Sequence, residues 1–400
     1  MTRPPSARFE RRKKDIVSSA VQAMNRKGVR GMTLADVATQ LGIVPTGVIY
    51  YFKNKEELAE ACFQLGIARY REFARAGEEH AGARDRIEAF SKAYFDFRYQ
   101  VVTGQADDIA VFNDVRALNR DTVNVAYVDM FRHGRQLFDA PETAGLSRLA
   151  KNARSHLLLS QAFWNVVWLQ GLDPQDYGRA CERSTSILVD GLRAPGALWN
   201  PLPLTSLNPE GEGDAGEMFL RAATHLINEE GYLGASIDKI SARLNLTKGA
   251  FYYHHETKDE LVVACFERTF QIMRRAIRQA ESASANGLQA LATAAVALVE
   301  CQTSGNSPLL RTSALTTAPE SIQPQIVAKF NSVSDRFAAL ICDGVADGSI
   351  RPVDVNIAAQ MLTAMINAAA ELHFWTPRMT SGQAADLYVR PFFEGLLAPS

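Results

Sequence analysis

No window of about twenty residues in this 400-residue chain is free of charged or strongly polar groups, so no membrane span is expected. The first twenty residues are basic and polar, without an apolar run, which argues against a secretory leader. Cysteine is scarce. The five (Cys62, Cys181, Cys265, Cys301, Cys342) are scattered, odd in number and never spaced Cys-x-x-Cys. That pattern argues against a zinc site or a disulfide framework and fits a cytoplasmic location. Strand signals, β-branched alternation bounded by turn pairs, are nearly absent. Catalytic motifs are missing as well: no GxSxG, no GxGxxG after a strand, no Walker loop and no HExxH. The adjacent pair His254 and His255 is a poor metal spacing on a helix. An enzyme is therefore not expected, and no catalytic residue, cofactor or metal is assigned.

What the chain does have is itself, twice. "YYFKNKEELAEACF" (Tyr50 to Phe63) returns as "YHHETKDELVVACF" (Tyr253 to Phe266), with seven of fourteen positions identical at an offset of 203. At the same offset Gly28 aligns with Gly231, Gly31 with Gly234 and Thr33 with Ser236. "DGLRAP" (Asp190 to Pro195) faces "EGLLAP" (Glu394 to Pro399) at an offset of 204, so each copy is about 200 residues long. A stretch rich in proline and glycine, Ala194 to Asp214, separates the copies and reads as a linker. Nearly everything else has helical periodicity, as in Ile87, Phe90, Tyr94, Phe97 and Val101. Net charge is −1, but its distribution is uneven. Residues 1–63 carry eleven Lys/Arg against six Asp/Glu, whereas residues 214–266 carry five against eight.

In "TLADVATQLGIVPTGVIYYF", Thr33 is a good N-cap and Leu34, Val37, Ala38 and Leu41 give a short helix one apolar face. Gly42 permits a reversal, and a second short helix starts near Val44. Ser236, Ile237, Ile240 and Leu244 repeat the pattern before "TKGAFYYHH". Two short helices joined by such a turn form a helix-turn-helix. Val48 with Ile49, and Phe251 with Tyr252, read as its core. With a basic helix ahead, then aromatics, a lysine and "EEL" behind, the combination resembles the DNA-binding domain of the tetracycline-repressor (TetR/AcrR) family. About fifty residues of each copy carry the resemblance.

The resemblance implies an all-α fold of two tandem units. Each has an N-terminal helix-turn-helix DNA-binding domain (1–63 and 214–266) and a C-terminal helical ligand and dimerisation domain (64–193 and 267–400), with residues 194–213 as linker. It implies contacts to a double-stranded DNA operator through Thr33, Pro45, Thr46, Gly47, Tyr50, Tyr51 and Lys55 in the first copy. The matching set in the second is Ser236, Thr247, Lys248, Gly249, Tyr253, His254 and Lys258. Pro45 and Thr46 can press on thymine methyls, Gly47 permits close approach, and Lys248 suits a guanine. Thr33 would offer its hydroxyl and helix-start amides to a phosphate, with Tyr51 and Lys55 as phosphate clamps. The run "RFERRKK" has no counterpart in the second copy, whose first helix carries Glu229 and Glu230. The first copy is therefore expected to grip DNA more strongly.

Family members of this kind work as homodimers, so the helices near the end of each copy are expected to pair within the chain as a pseudo-dimer reading an imperfect palindrome. A homodimer of chains with four readers is the other arrangement open to it. The expected outcome is ligand-responsive repression by an unknown small-molecule effector. Tyr94, Phe95, Arg98, His156, Phe163, Trp164 and Trp168 in the first copy, and Asn367, His373 and Trp375 in the second, are candidates to line a pocket for a flat or acidic apolar ligand. The competing reading is a helical protein-binding or sensor scaffold in which one or both readers are degenerate.

Overall fold

Ser6 opens the first helix by accepting a hydrogen bond from the Phe9 amide at 3.2 Å. In the computed structural model, which describes residues 6–205, 207, 215–244, 257–304, 308–317 and 321–399, helices account for nearly all regular structure. The first unit comprises α1 (Ala7–Gly31), α2 (Leu34–Gln40), α3 (Pro45–Ile49), α4 (Lys55–Glu78), α5 (Ala83–Val102), α6 (Asp121–Gln136), α7 (Arg148–Leu169) and α8 (Tyr177–Asp190). The second comprises α9 (Ala215–Gly234), α10 (Ile237–Arg243), α11 (Lys258–Ala283), α12 (Gly287–Ser304), α13 (Gln323–Ala346) and α14 (Val355–Ala368), then short turns ending at Glu394. The fold is all-α in two tandem units, and among the described residues the one pairing of strand type is an isolated bridge between Arg193 and Ile350. No helix among the described residues is long and apolar enough to cross a membrane.

The repeated sequence signals have repeated structural causes. Gly28 and Gly231 hold φ of 67° and 74°, a region that side chains resist, and each kinks the first helix of its unit just before the helix-turn-helix. Asn54 caps α4 by accepting from the Glu57 amide at 2.8 Å, and Thr257 caps α11 by accepting from the Glu260 amide at 3.2 Å. The change of Asn54 to Thr257 between copies is thus one N-cap for another. Cys62 and Cys265 are buried, and burial pushes each thiol up to about 12, so both behave as small core residues.

One apolar core runs through both units. Its join is built by α7 against α14. His156 Nε2 donates to the Ala368 carbonyl at 2.8 Å, while Trp164 Nε1 donates to Gln360 Oε1 at 3.4 Å. His156 and Gln360, like Trp164 and Ala368, lie 204 positions apart, so the two contacts are images of each other about a two-fold axis. The matching unit ends also meet. Leu192 N donates to the Phe393 carbonyl at 2.9 Å and Leu396 N to the Leu188 carbonyl at 2.8 Å. Backbone approaches so closely here that a Cβ on Gly191 would lie 2.3 Å from the Phe393 oxygen, and one on Gly395 2.2 Å from that of Val189.

Off the axis the symmetry lapses. The buried Arg154 donates to the carbonyls of Leu396 (2.9 Å) and Ala398 (2.8 Å). Trp375 stacks on Phe131 of the first unit with centroids 3.7 Å apart and planes within 2°. The linker is not a free tether over its described part: Trp199 packs on Phe393, Leu202 N donates to Thr293 Oγ1, and Gln289 donates to the Asn200 carbonyl.

Candidate nucleic-acid interface and inter-unit cavity

The first helix-turn-helix is built for exposure of its second helix. Gly42 takes φ of 63° in the turn, and Pro45 sits in the first turn of α3, where its missing amide hydrogen costs nothing. Val48 is fully buried and anchors the hairpin, while Pro45, Thr46 and Tyr50 are exposed and Gly47 is half-buried. Ile49 departs from the expected core role: it is 46% exposed, because a five-residue helix turns only one residue fully inward. Phe9 of α1 packs on Tyr51 with centroids 4.7 Å apart and on Tyr50 at 6.1 Å, and Lys13 Nζ lies 5.6 Å from the Phe52 ring. The basic run of Arg8, Arg11, Arg12 and Lys13 is thereby fixed beside the exit of α3.

Two residues expected to hold phosphates have partners inside the protein. The Thr33 hydroxyl accepts from the Asp36 amide at 3.1 Å and donates to the Asp36 carboxylate at 2.8 Å, and the Thr33 amide donates to the same carboxylate at 3.0 Å. The capping box consumes the groups that were to meet a phosphate and sets an acid beside them. Lys27, foremost, and Thr33 hold the Asp36 carboxyl below its usual range. Lys55 Nζ donates to the Arg30 carbonyl at 2.9 Å at the end of α1. In the second unit Ser236 accepts from the Lys239 amide at 3.3 Å, and Lys258 Nζ lies over the Tyr232 ring at 4.2 Å, where burial lowers its pKa. Thr247, Lys248, Gly249, Tyr253 and His254 lie outside the described residues.

Glu229 and Glu230, expected to mark the second reader as acidic, are paired. Glu230 binds Lys239, and Glu229 binds Arg243 at 2.8 Å. At the matching positions of the first unit, Lys27 binds Asp36 at 2.8 Å and Arg26 donates to Gln40 at 3.4 Å. The bridge between the first and second helices is kept with its polarity inverted. The charge difference between readers instead concentrates in the first turns of the first helix. Lys14 there corresponds to Glu217, which pairs with the core-buried Arg268 at 2.7 Å.

A cavity of about 300 Å³ lies between the units, walled by α4 to α7 on one side and α13 and α14 on the other. Of the candidate set, Tyr94, Arg98, His156, Phe163, Trp164 and Asn367 line it, together with Tyr70 and Tyr127. Phe95, Trp168, His373 and Trp375 do not. Trp168 donates to Asn165 Oδ1 and packs on Phe95, His373 turns back to the Ala370 carbonyl, and Trp375 is spent on Phe131. Arg98 pairs with Asp108 at 2.6 Å, and Arg311 pairs with Glu371. Burial lowers the His156 pKa, so the ring is neutral near pH 7 with its proton on Nε2.

Two asparagines tie this cavity to the readers. Asn25 of α1 donates to the Ile109 carbonyl and accepts from the Val111 amide, both at 3.0 Å. Asn228 of α9 donates to the Leu309 carbonyl at 2.9 Å and accepts from the Arg311 amide at 3.0 Å. Ile109, Val111 and Arg311 all belong to the cavity wall.

The family profile described as "Bacterial regulatory proteins, tetR family" matches residues 16–62 and again 219–265. The chain thus carries the tetR family's N-terminal domain twice. It is 37% identical to the Transposon Tn10 TetC protein of Escherichia coli over 75 residues, which are 19% of this chain and 38% of that protein. Among solved structures, apo AibR is 23% identical over 44% of this chain and 97% of its own, with a TM-score of 0.37. PfmR, a TetR family transcriptional regulator from Thermus thermophilus, is 21% identical over 44% of this chain and 98% of its own, with a TM-score of 0.38.

The tetR-type spans enclose both candidate reader sets. Sequence reasoning missed the asparagine clamps and the inverted ion pairs. Asn25 and Asn228 are identical residues at the repeat offset, and the swap of Lys27 and Asp36 for Glu230 and Lys239 is a compensated exchange. Both were visible once the copies were aligned and read for pairs as well as for single positions.

Proposed function

We propose that this protein is a tetR-type, ligand-responsive transcriptional repressor that reads one imperfect palindrome of double-stranded DNA as a covalent pseudo-dimer. The reading is carried by one observation: a tetR-type DNA-binding domain occurs twice in a chain whose helical remainders pack on each other through α7 and α14. The working units are residues 1–63 and 214–266 as readers, 64–193 and 267–400 as helical ligand and pairing domains, and 194–213 as linker. In the first reader, Pro45, Thr46 and Gly47 enter the major groove, with Tyr50 and Tyr51 one turn on. The basic run on α1 meets phosphates, joined by Lys55. Thr33 contributes the start of α2 through the Leu34 and Ala35 amides in place of its hydroxyl. In the second reader, Thr247, Lys248 and Gly249 read bases, and Ser236, Tyr253, His254 and Lys258 hold the backbone. Its grip is weaker because it lacks the basic run. Such a protein acts on chromosomal DNA in the cytoplasm, and no catalytic role is assigned to it.

Effector binding in the cavity would alter reader spacing through the Asn25 and Asn228 clamps, because a ligand shifts an equilibrium only by its differential affinity for two arrangements. The test is a mobility-shift titration of the folded protein on DNA from just upstream of its own coding sequence, at low salt, with sedimentation in parallel. A shift by a species of the 44.0 kDa chain mass supports the reading. Folded protein that shifts no such DNA defeats regulation, and a stable species of twice that mass defeats the monomeric pseudo-dimer.

A further inference from the structure

The other buried tyrosines among the described residues bond their hydroxyls internally. Tyr177 donates to the Leu169 carbonyl at 3.1 Å, Tyr388 to the Met365 carbonyl at 2.9 Å, and Tyr232 to Asp259. Tyr70, Tyr94 and Tyr127 break the pattern. They are 5%, 2% and 5% exposed and line the inter-unit cavity, yet the described residues offer none of their hydroxyls an acceptor or a donor. None of the three is among the wholly enclosed polar atoms, so each hydroxyl opens into the cavity, where only its contents can supply a partner. Three around one cavity are a site prepared for something that supplies partners. Burial also pushes all three phenols up, so they remain protonated donors. A fourth donor, Nε of Arg311, is buried at the same wall without an acceptor.

The charges there are already balanced. The Arg98 guanidinium is taken by Asp108 and that of Arg311 by Glu371, and His156 is neutral. An anionic ligand would have to displace one of these carboxylates or lie beside it in a medium of low dielectric, where like charges repel strongly. The rest of the wall is more apolar than polar, with uncharged polar groups such as Gln323, Asn331, Gln360 and Asn367 among its residues, and Phe112 and Phe163 meet edge to face at 5.2 Å. The mouth lies by Val167 and Val327, both exposed, one from each unit.

We propose that this cavity is a single effector site, one per chain, for an uncharged and mostly apolar molecule bearing hydrogen-bond-accepting oxygens. Each ligand oxygen accepts from a tyrosine hydroxyl while the ring system fills the aromatic floor. The stoichiometry follows from position, because one cavity straddles the axis and the hydroxyls come from the first unit alone. The site rests on the ligand-responsive reading only for its effect on DNA; its occupancy can be measured without DNA.

The test is isothermal titration calorimetry of the full chain with three probes of one shape: 2-acetylnaphthalene, 2-naphthoate and 2-ethylnaphthalene. The neutral ketone is expected to bind once per chain, at least about fivefold tighter than the hydrocarbon, the value of roughly one net hydrogen bond. It is also expected to bind more tightly than the carboxylate. Tyr94→Phe and Tyr70→Phe, which keep the ring and its packing, should remove that preference and leave hydrocarbon affinity unchanged. Tightest binding by 2-naphthoate, two ligands per chain, or no heat from any probe would overturn the proposal. So would an equal loss for ketone and hydrocarbon in the phenylalanine variants. A mobility shift on the same samples separates the two readings. Ketone binding that leaves DNA affinity unchanged sinks the switch and keeps the site, whereas DNA binding without ketone binding sinks the site and keeps the regulator.

Discussion

The two readers share a plan and differ in how they use charge. Counting residues makes the second reader acidic throughout. Pairing them shows that Glu229 and Glu230 neutralise Arg243 and Lys239 on the adjacent helix, in an arrangement the first reader makes with opposite signs. The remaining difference is local: the first turns of α1 carry Arg8, Arg11, Arg12, Lys13 and Lys14, and the matching positions end in Glu217. Glu217 is only 10% exposed at its side chain and faces an arginine that is 1% exposed. A position that carries surface charge in one copy holds the core together in the other. Divergence within a duplication therefore moves single residues between roles, and a net charge per domain hides the move.

The comparison breaks most sharply at that position. Glu217→Ala removes the carboxylate from a buried pair and should lower unfolding free energy by about 3–5 kcal/mol. Lys14→Ala, whose pair with Asp107 is exposed, should change it by less than about 0.5 kcal/mol. Chemical denaturation of both variants measures this, and equal losses would refute the assignment of different roles. Next comes DNA grip. The triple change of Arg11, Arg12 and Lys13 to Ala should weaken operator binding roughly 30- to 100-fold near 100 mM salt. It should also flatten the slope of log affinity against log salt by about 2 to 3, near 0.9 per lost phosphate contact. Lys239→Ala with Arg243→Ala should change affinity less than about threefold, since acids already neutralise both; a salt titration that leaves the triple variant's slope intact would sink the idea.

The clamps probe what the halves share. Asn25→Ala and Asn228→Ala each strip two hydrogen bonds from cavity-wall backbone and should cost about 2 kcal/mol apiece. Both should also blunt the response of DNA binding to an effector, and a response retained in full by either variant would remove that clamp from the signal path. The smallest expected effect separates two matching lysines. Lys55→Glu should weaken DNA binding about tenfold and Lys258→Glu about threefold, because the second ammonium is half-buried over Tyr232. Equal losses in a mobility shift would show that the two grips are alike.

Helices, repeat and helix-turn-helix were legible in the sequence because each rests on local chemistry. Thr33 and Ser236 cap, Gly28 and Gly231 kink, and apolar residues recur at helical spacing. Six of the ten cavity candidates line the cavity for a related reason: they sit on the inward faces of amphipathic helices. The others failed where a side chain had a nearer claim, as Trp375 has on Phe131 and Trp168 on Asn165. Thr33 shows the same limit in the reader. A hydroxyl at a helix start can serve a phosphate or its own capping box, and only the position of Asp36 decides between them. That a single cavity would straddle both halves depends on tertiary geometry, and no spacing in the sequence encodes it.

The meeting of Gly191 with the backbone at Gly395 places the ends of both units in one another's grip. Two separate chains making this contact would come apart on dilution, and their pairing would rise with the square of their concentration. Here the partner is always present, at an effective concentration fixed by the linker. In the proposed pseudo-dimer pairing and folding would be one event, and the stability of the join would be the same in a dilute cell as in a concentrated solution.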